Sequence, residues 1–197
     1  MVEPDCTVEL NGDSVLNGAY TTPSHELMRL QEPPAATIKR LRPKYTIKDN
    51  TLNGQTSAAL AQVFYNRQRT SRFIVIENGI IEAWRNESMV QNLRSMAVFA
   101  RGEGRTPILT GLSRFALHVD PDPGYNMTQT MIDQRDAFDA QIKAMAAQEG
   151  IAFAEFGAAP FSGASDLLDT VHPTKAYSDR LVARLVLTLD ALAPECK

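Results

Sequence analysis

Short apolar segments alternate along the chain with longer segments in which apolar residues recur at helical spacing. Residues 73–76 (FIVI) form a continuous β-branched run, which is typical of a strand covered on both faces. Four further segments have the same short apolar character. The pattern predicts five strands, at 7–10, 45–48, 73–76, 107–110 and 151–154.

The intervening segments combine good helix formers with apolar residues at helical spacing. They predict helices at 24–31, 35–42, 56–67, 88–100, 128–148 and 174–192. Pro33 and Pro34 separate the first two because proline lacks a backbone donor and restricts the residue before it. Gly150 stands where helices commonly end, and Pro173 stands at the first turn of the last helix.

This alternation of strands and helices predicts an α/β fold: a three-layer α/β/α sandwich around a five-stranded, mainly parallel sheet. In such a sheet, ligands bind beyond the carboxyl ends of the strands. Any site is therefore expected in the loops that follow the strands, at 11–18, 49–55, 77–86, 111–127 and 156–173.

Chain length, net charge and the length of apolar runs further limit the possible classes of protein. The 197 residues suit one domain spanning 1–197, and the net charge of −3 gives no electrostatic reason to expect a nucleic-acid partner. No apolar run reaches the roughly 20 residues of a membrane span. The segment MVEPDC (1–6) is polar and lacks the apolar region that a signal peptide has; an extracytoplasmic location is expected if a signal segment was removed from a longer chain.

Cys6 and Cys196 lie near opposite ends of the sequence. They can form a disulfide if the two ends meet, and two free thiols are the alternative. Their spacing matches no metal site. Both the redox compartment and the oligomeric state stay open.

Two of the predicted loops carry side chains suited to acyl transfer. Gly12-Asp13-Ser14 follows the first strand, and Asp169-Thr170-Val171-His172-Pro173 precedes the last helix. Serine needs a base within hydrogen-bonding reach, histidine serves as that base near neutral pH, and a carboxylate can orient the imidazole. Taken singly, each of these residues also fits an ordinary turn.

Together with DNTLNGQTS (49–57), these stretches occur in an order that resembles the SGNH, or GDSL-type, hydrolase family. The resemblance implies an esterase without a cofactor that acts through an acyl-enzyme. It implies that Ser14 is the nucleophile, that His172 is the general base and then acid, and that Asp169 orients His172. The backbone amides of Ser14 and Gly54 would form the oxyanion hole.

The sequence departs from the family at its third motif, Gly-x-Asn-Asp, whose asparagine supplies another oxyanion donor. Aligning Gly79 places Ile81 at the asparagine position. Asn78 can reach the hole from a shifted loop, two backbone amides can suffice, or the protein can be a non-catalytic relative. We favour an enzyme because Ser14, Asp169 and His172 are all present, and we assign Asn78 to the oxyanion hole as a hypothesis.

Four side chains in the predicted loops are candidates for substrate contact. They are Trp84, Arg85, Arg114 and His118. Packing in the core or exposure on the surface is the alternative for each, and no metal-ligand spacing is present around His118. We expect a small-molecule or glycan ester with a short acyl group, such as an O-acetylated carbohydrate. A carbohydrate- or partner-binding module and an O-acyltransferase are the alternatives.

Overall fold

A single parallel sheet forms the centre of the computed structural model, which describes residues 3–117 and 127–197. Its strands run β4-β1-β5-β6-β7 across the sheet, and every neighbouring pair is parallel. They span β1 Thr7–Asn11, β4 Thr46–Asp49, β5 Phe73–Ile76, β6 Thr106–Thr110 and β7 Ala152–Ala154. All four residues of β5 are at most 1% exposed, which confirms the prediction of a strand covered on both faces.

The order of the strands places a switch point at β1. The chain leaves β1 for β4 on one side and then returns to β5 on the other, with Leu10 paired to Asp49 and to Val75. A crevice forms at the carboxyl end of the sheet where the order reverses in this way. The residues directly after β1 are therefore placed at the position where such folds bind ligands.

The longer helices form two groups. α2 (Pro34–Leu41) and α7 (Lys175–Leu192) contact each other, and α3 (Ser57–Tyr65), α5 (Val90–Gly102) and α6 (Gln129–Glu149) form the second group. Short helices α1 (Ser14–Asn17) and α4 (Ile80–Arg85) follow β1 and β5. The predicted three-layer architecture and all but one of the predicted helices are present, and Gly150 ends α6 with a left-handed φ of 62°.

The prediction of a helix over 24–31 is wrong. This segment contains β3 (Leu27–Arg29), which pairs antiparallel with β2 (Ala19–Thr21) in a two-stranded sheet. His25 adopts a positive φ of 63°, which an α-helix cannot accommodate, and Leu27 is 58% exposed. The apolar residues of this segment do not face the core, and pairing with β2 gives the segment an extended conformation instead of a helical one.

Two helix boundaries also differ from expectation. Pro173 precedes α7 instead of lying in its first turn, because Thr174 is the N-cap: its side chain accepts a hydrogen bond from the amide of Tyr177. α5 is predicted at 88–100, but it begins at Val90 and ends at Gly102. Both shifts are within the usual uncertainty of helix ends.

Cys6 and Cys196 form a disulfide with their Cα atoms 5.6 Å apart. The bond lies at the amino end of β1, the edge of the sheet opposite to the residues that follow β1. The sequence leaves open whether these cysteines form a disulfide or two free thiols, and the structure contains the disulfide. Among the described residues, no helix combines the length and the apolarity needed to cross a membrane.

Candidate active site

Ser14 lies where β1 turns into the single-turn helix α1. Asp13 caps this helix, because its Oδ1 accepts a hydrogen bond from the amide of Val15 at 2.9 Å. Gly18 closes the helix with a left-handed φ of 77°. Ser14 is 7% exposed, so its hydroxyl is held in a fixed turn at the carboxyl end of the sheet.

Ser14, His172 and Asp169 form a continuous chain of hydrogen bonds. Ser14 Oγ lies 2.9 Å from His172 Nε2, and His172 Nδ1 lies 2.6 Å from Asp169 Oδ2. The serine and the histidine are 158 positions apart in the sequence, so the fold brings them together. Each distance fits a hydrogen bond, and the arrangement has the geometry of a nucleophile, a base and a carboxylate that orients the base.

Asp169 is fully buried and accepts several hydrogen bonds. Its Oδ1 accepts the amides of Val171 at 2.8 Å and His172 at 2.7 Å, and its Oδ2 accepts the amide of Thr21 at 3.0 Å. Burial alone would raise the pKa of Asp169, but the bonds from the His172 ring and these amides outweigh it and lower the pKa. The carboxylate therefore stays ionised beside the imidazole.

The loop that carries Gly54 packs against the turn that carries Ser14. The amide of Leu52 donates to the carbonyl of Gly12 at 3.0 Å, and Asn17 Nδ2 donates to Thr51 Oγ1 at 3.0 Å. Gly54 has a φ of 73° and stands third in the turn of residues 52–55. The amide assigned to the oxyanion hole is thus on a turn bonded to the segment that bears Ser14.

Asn78 contacts this loop rather than open space. It is 0% exposed, and its Nδ2 donates to the carbonyl of Gln55 at 2.8 Å. Glu82 binds the same loop, because its Oε1 accepts the amide of Ser57 at 2.5 Å. Ile81 occupies the position expected for asparagine and is 8% exposed. The geometry makes Asn78 an anchor of the loop that carries Gly54, while its role as a direct oxyanion donor stays a prediction.

The four candidates for substrate contact have different surroundings. Trp84 is half-buried and packs against the hydrophobic core, and Arg85 is exposed at the end of α4. Arg114 is exposed, and its Nε donates to the carbonyl of Gly157 at 3.1 Å. His118 lies outside the described residues. Substrate contact by these side chains stays a prediction.

Cavities of different size lie away from Ser14 in the described parts of the chain. The larger one, about 620 Å³, is beside the disulfide and is lined by residues including Asp5, Cys6 and Lys44. The smaller one, about 120 Å³, lies between Arg114 and Phe161. Neither of these two cavities is lined by Ser14 or His172.

Sequence reasoning missed three contributors to this geometry. The amide of Thr21 reaches Asp169 from the small hairpin that was mistaken for a helix. Glu77 is buried beside the turn that carries Ser14, and Glu82 is buried beside the loop that carries Gly54. The signal in the sequence was Glu77, an acidic residue directly after the buried strand 73–76. Burying a carboxyl group costs free energy unless it has a specific partner.

Comparisons with known proteins agree with this architecture. Neither a family model nor a curated protein matches the sequence. A carbohydrate acetylesterase from Sinorhizobium meliloti has a similar structure, with a TM-score of 0.77 at 16% identity over 94% of this chain and 99% of that one. The aryl esterase of M. smegmatis gives a TM-score of 0.77 at 13% identity over 94% of this chain and 99% of that one.

A third similar structure, a GDSL-like lipase from Bacteroides thetaiotaomicron, gives a TM-score of 0.68 at 18% identity, over 98% of this chain and 93% of that one. All three align over nearly the whole length of both chains. The extent of these alignments, together with the strand order, shows that the fold is shared. The chain has the fold of the SGNH, or GDSL-type, hydrolases.

Proposed function

We propose that the protein is a serine esterase that hydrolyses its substrate through an acyl-enzyme on Ser14. The observation that carries this proposal is the unbroken set of bonds from Ser14 Oγ through His172 to the buried Asp169. Solved structures of the same fold include a carbohydrate acetylesterase and an aryl esterase. Both the geometry and these neighbours support ester hydrolysis.

The geometry suggests the order of proton transfers. Ser14 Oγ attacks the ester carbonyl carbon while its proton moves to His172 Nε2, 2.9 Å away. Asp169 stabilises the resulting imidazolium and keeps the ring in the tautomer that accepts this proton. The same proton then passes to the leaving alcohol, and water, activated by His172, attacks the acyl-enzyme to release the acid.

The oxyanion of each tetrahedral intermediate needs donors that are in place before the reaction. We assign this role to the backbone amides of Ser14 and Gly54. Asn78 and Glu82 contribute by holding the residues that follow Gly54. Removing one such donor typically costs roughly 100- to 1000-fold in kcat. Two rigidly held amides can therefore supply most of the stabilisation when Ile81 supplies none.

For the substrate, we propose esters with short acyl groups, and O-acetyl groups on carbohydrates in particular. A solved structure described as a carbohydrate acetylesterase covers 94% of this chain at a TM-score of 0.77, which supports this choice. The reaction needs no cofactor, because the nucleophile, base and oxyanion donors all come from the chain.

The disulfide between Cys6 and Cys196 supports an oxidising compartment as the place of action. Such bonds form and persist outside the reducing cytosol. An extracytoplasmic esterase would meet the acetylated glycans that we propose as substrates.

The test is hydrolysis of p-nitrophenyl acetate, butyrate and octanoate and of an acetylated oligosaccharide, with Ser14→Ala as the control. We expect turnover of the acetyl esters, a decline with acyl length, and no turnover by the variant. A Ser14→Ala variant that keeps the rate would remove Ser14 as nucleophile. Ester cleavage only in the presence of an acceptor alcohol would indicate an acyltransferase, and glycan binding without turnover would indicate a binding module.

A further inference from the structure

The turn that carries Ser14 closes against the side chain and the backbone of Glu77. The amide of Glu77 donates to the carbonyl of Asn11 at 2.9 Å, and its Oε2 accepts the amide of Asp13 at 3.1 Å. Between them, a Cβ atom on Gly12 would lie only 2.6 Å from Glu77 Oε2. Three successive residues before the nucleophile therefore contact one glutamate, and Gly12 allows this close approach.

Glu77 and Asp13 form a pair of acids in a site that excludes water. Both are 0% exposed, Glu77 Oε2 accepts the backbone amide of Asp13, and one oxygen of each carboxyl group, Asp13 Oδ2 and Glu77 Oε1, has no hydrogen-bond partner among the described residues. Glu82 on α4, also buried, adds a further acidic group near Asp13. Two ionised carboxylates cannot share such a site at an acceptable cost, because burial and mutual repulsion both disfavour the second charge.

Little nearby positive charge offsets these acids. The charge of His172 contributes to the electrostatics of Asp13, and Arg67, which follows α3, donates to Asn11 Oδ1 at 3.5 Å rather than to either carboxyl group. Within residues 3–117 and 127–197, neither Asp13 nor Glu77 forms an ion pair. A proton held between the two acids would satisfy both groups.

We propose that Glu77 is a positioning residue whose carboxyl group shares a proton with Asp13 and so fixes the turn that presents Ser14 to the substrate. This inference rests on the proposed esterase function for its effect on catalysis. The arrangement agrees with the electrostatics of the site. Burial, followed by the charge of Asp13, raises the pKa of Glu77 well above its usual value, and burial raises the pKa of Asp13 to about 6.

Two substitutions of Glu77 should have different effects on kcat. Glu77→Gln keeps the shape and supplies a permanent donor to Asp13, so kcat stays close to that of the wild type. Glu77→Ala removes the contact with the turn, and a misplaced nucleophile costs roughly 100-fold in kcat. KM changes little in either variant, because Glu77 is 0% exposed and does not touch the substrate.

The decisive measurement is the dependence of kcat on pH. In the wild type, kcat falls as the pH rises and the shared proton is lost, whereas in Glu77→Gln this decline disappears. Glu9→Gln is the matched control: Glu9 is also 0% exposed, but it pairs with Lys48 across β1 and β4, away from the turn. Its profile should follow that of the wild type.

Infrared spectroscopy tests the shared proton without any need for activity. At neutral pH, the wild type should show the carbonyl stretch of a protonated buried carboxylic acid, and Glu77→Gln should lack it. Persistence of this band in Glu77→Gln, or a kcat as low as that of Glu77→Ala, would overturn the proposal. If no ester is hydrolysed at all, the proposed function fails while the infrared result still decides whether the proton is shared.

Discussion

Replacing Gly54 with alanine tests whether the second oxyanion donor is the amide of this residue. Gly54 stands third in the turn of residues 52–55 with a φ of 73°, while the residue before it has a negative φ. This combination defines a type II turn. Alanine disfavours the positive φ, and a type I turn removes the strain by flipping the peptide between residues 53 and 54. The flip would point the Gly54 amide away from the reaction centre.

The magnitude follows from the surroundings of Gly54. A Cβ added there meets no atom within 4 Å, so the only folded-state cost is the backbone conformation, about 1–2 kcal/mol. For a domain of this size, that cost lowers Tm by about 2–8 °C. Loss of one oxyanion donor lowers kcat by roughly 100- to 1000-fold. The effect on kcat should therefore far exceed the effect on stability.

Gly104 provides a matched control for this experiment. It has a φ of 76°, a Cβ added there also meets no atom within 4 Å, and it lies before β6 at the opposite edge of the sheet. Gly104→Ala should lower Tm by a similar amount and leave kcat unchanged. Thermal denaturation and turnover of p-nitrophenyl acetate measure both effects. Equal kcat values for the two variants would refute the assignment of Gly54.

Three further predictions concern the disulfide, the carboxylate beside the imidazole and the buried acid before the nucleophile. Removing the link between Cys6 and Cys196, which are 190 positions apart, should cost about 5 kcal/mol through the entropy of the unfolded chain. Calorimetry should then show a Tm about 10–20 °C lower, both in the Cys6→Ala/Cys196→Ala variant and in the reduced wild type; an unchanged Tm would argue against the bond. Asp169→Asn should lower kcat by about 10⁴-fold with little loss of Tm, because asparagine stabilises the wrong tautomer of His172; a rate near the wild type would show that Asp169 does not orient the ring. Burial raises the pKa of Asp13 from 3.8 to about 6, so Asp13 binds a proton more tightly in the folded protein than in the unfolded chain. The contribution of this proton to stability is therefore complete below about pH 4 and is lost as the pH rises through about 6. Tm should therefore fall between pH 4 and pH 7 by more in the wild type than in Asp13→Asn, and equal slopes would contradict the raised pKa.

Local sequence patterns were sufficient to predict the strands of the central sheet. All five strands lie within one residue of their predicted bounds, and β5 is a continuous apolar run that matches its predicted bounds. The same reasoning failed at 24–31, where helical spacing of apolar residues was present but no core was available to bury them. Met28, for example, is 45% exposed and pairs with Tyr20 instead. Periodicity predicts an element only when a buried surface exists for its apolar face.

The site was predictable in part for a related reason. Ser14 and His172 stand out because their residue types are reactive and their loops follow strands. The contact of Asn78 with Gln55, and that of Glu77 with the turn that carries Ser14, depend on how separate loops pack, and no local pattern encodes them. Such partners act through their positions in three dimensions, so they became visible only in the structure.

The central claim, that Ser14 is a nucleophile activated by His172, is tested most directly by covalent labelling with a fluorophosphonate. We predict one adduct per chain by intact mass spectrometry, located on the peptide that contains Ser14. The adduct should be absent in Ser14→Ala and strongly reduced in His172→Ala. A folded protein that resists labelling, or that is labelled at another residue, would contradict the account.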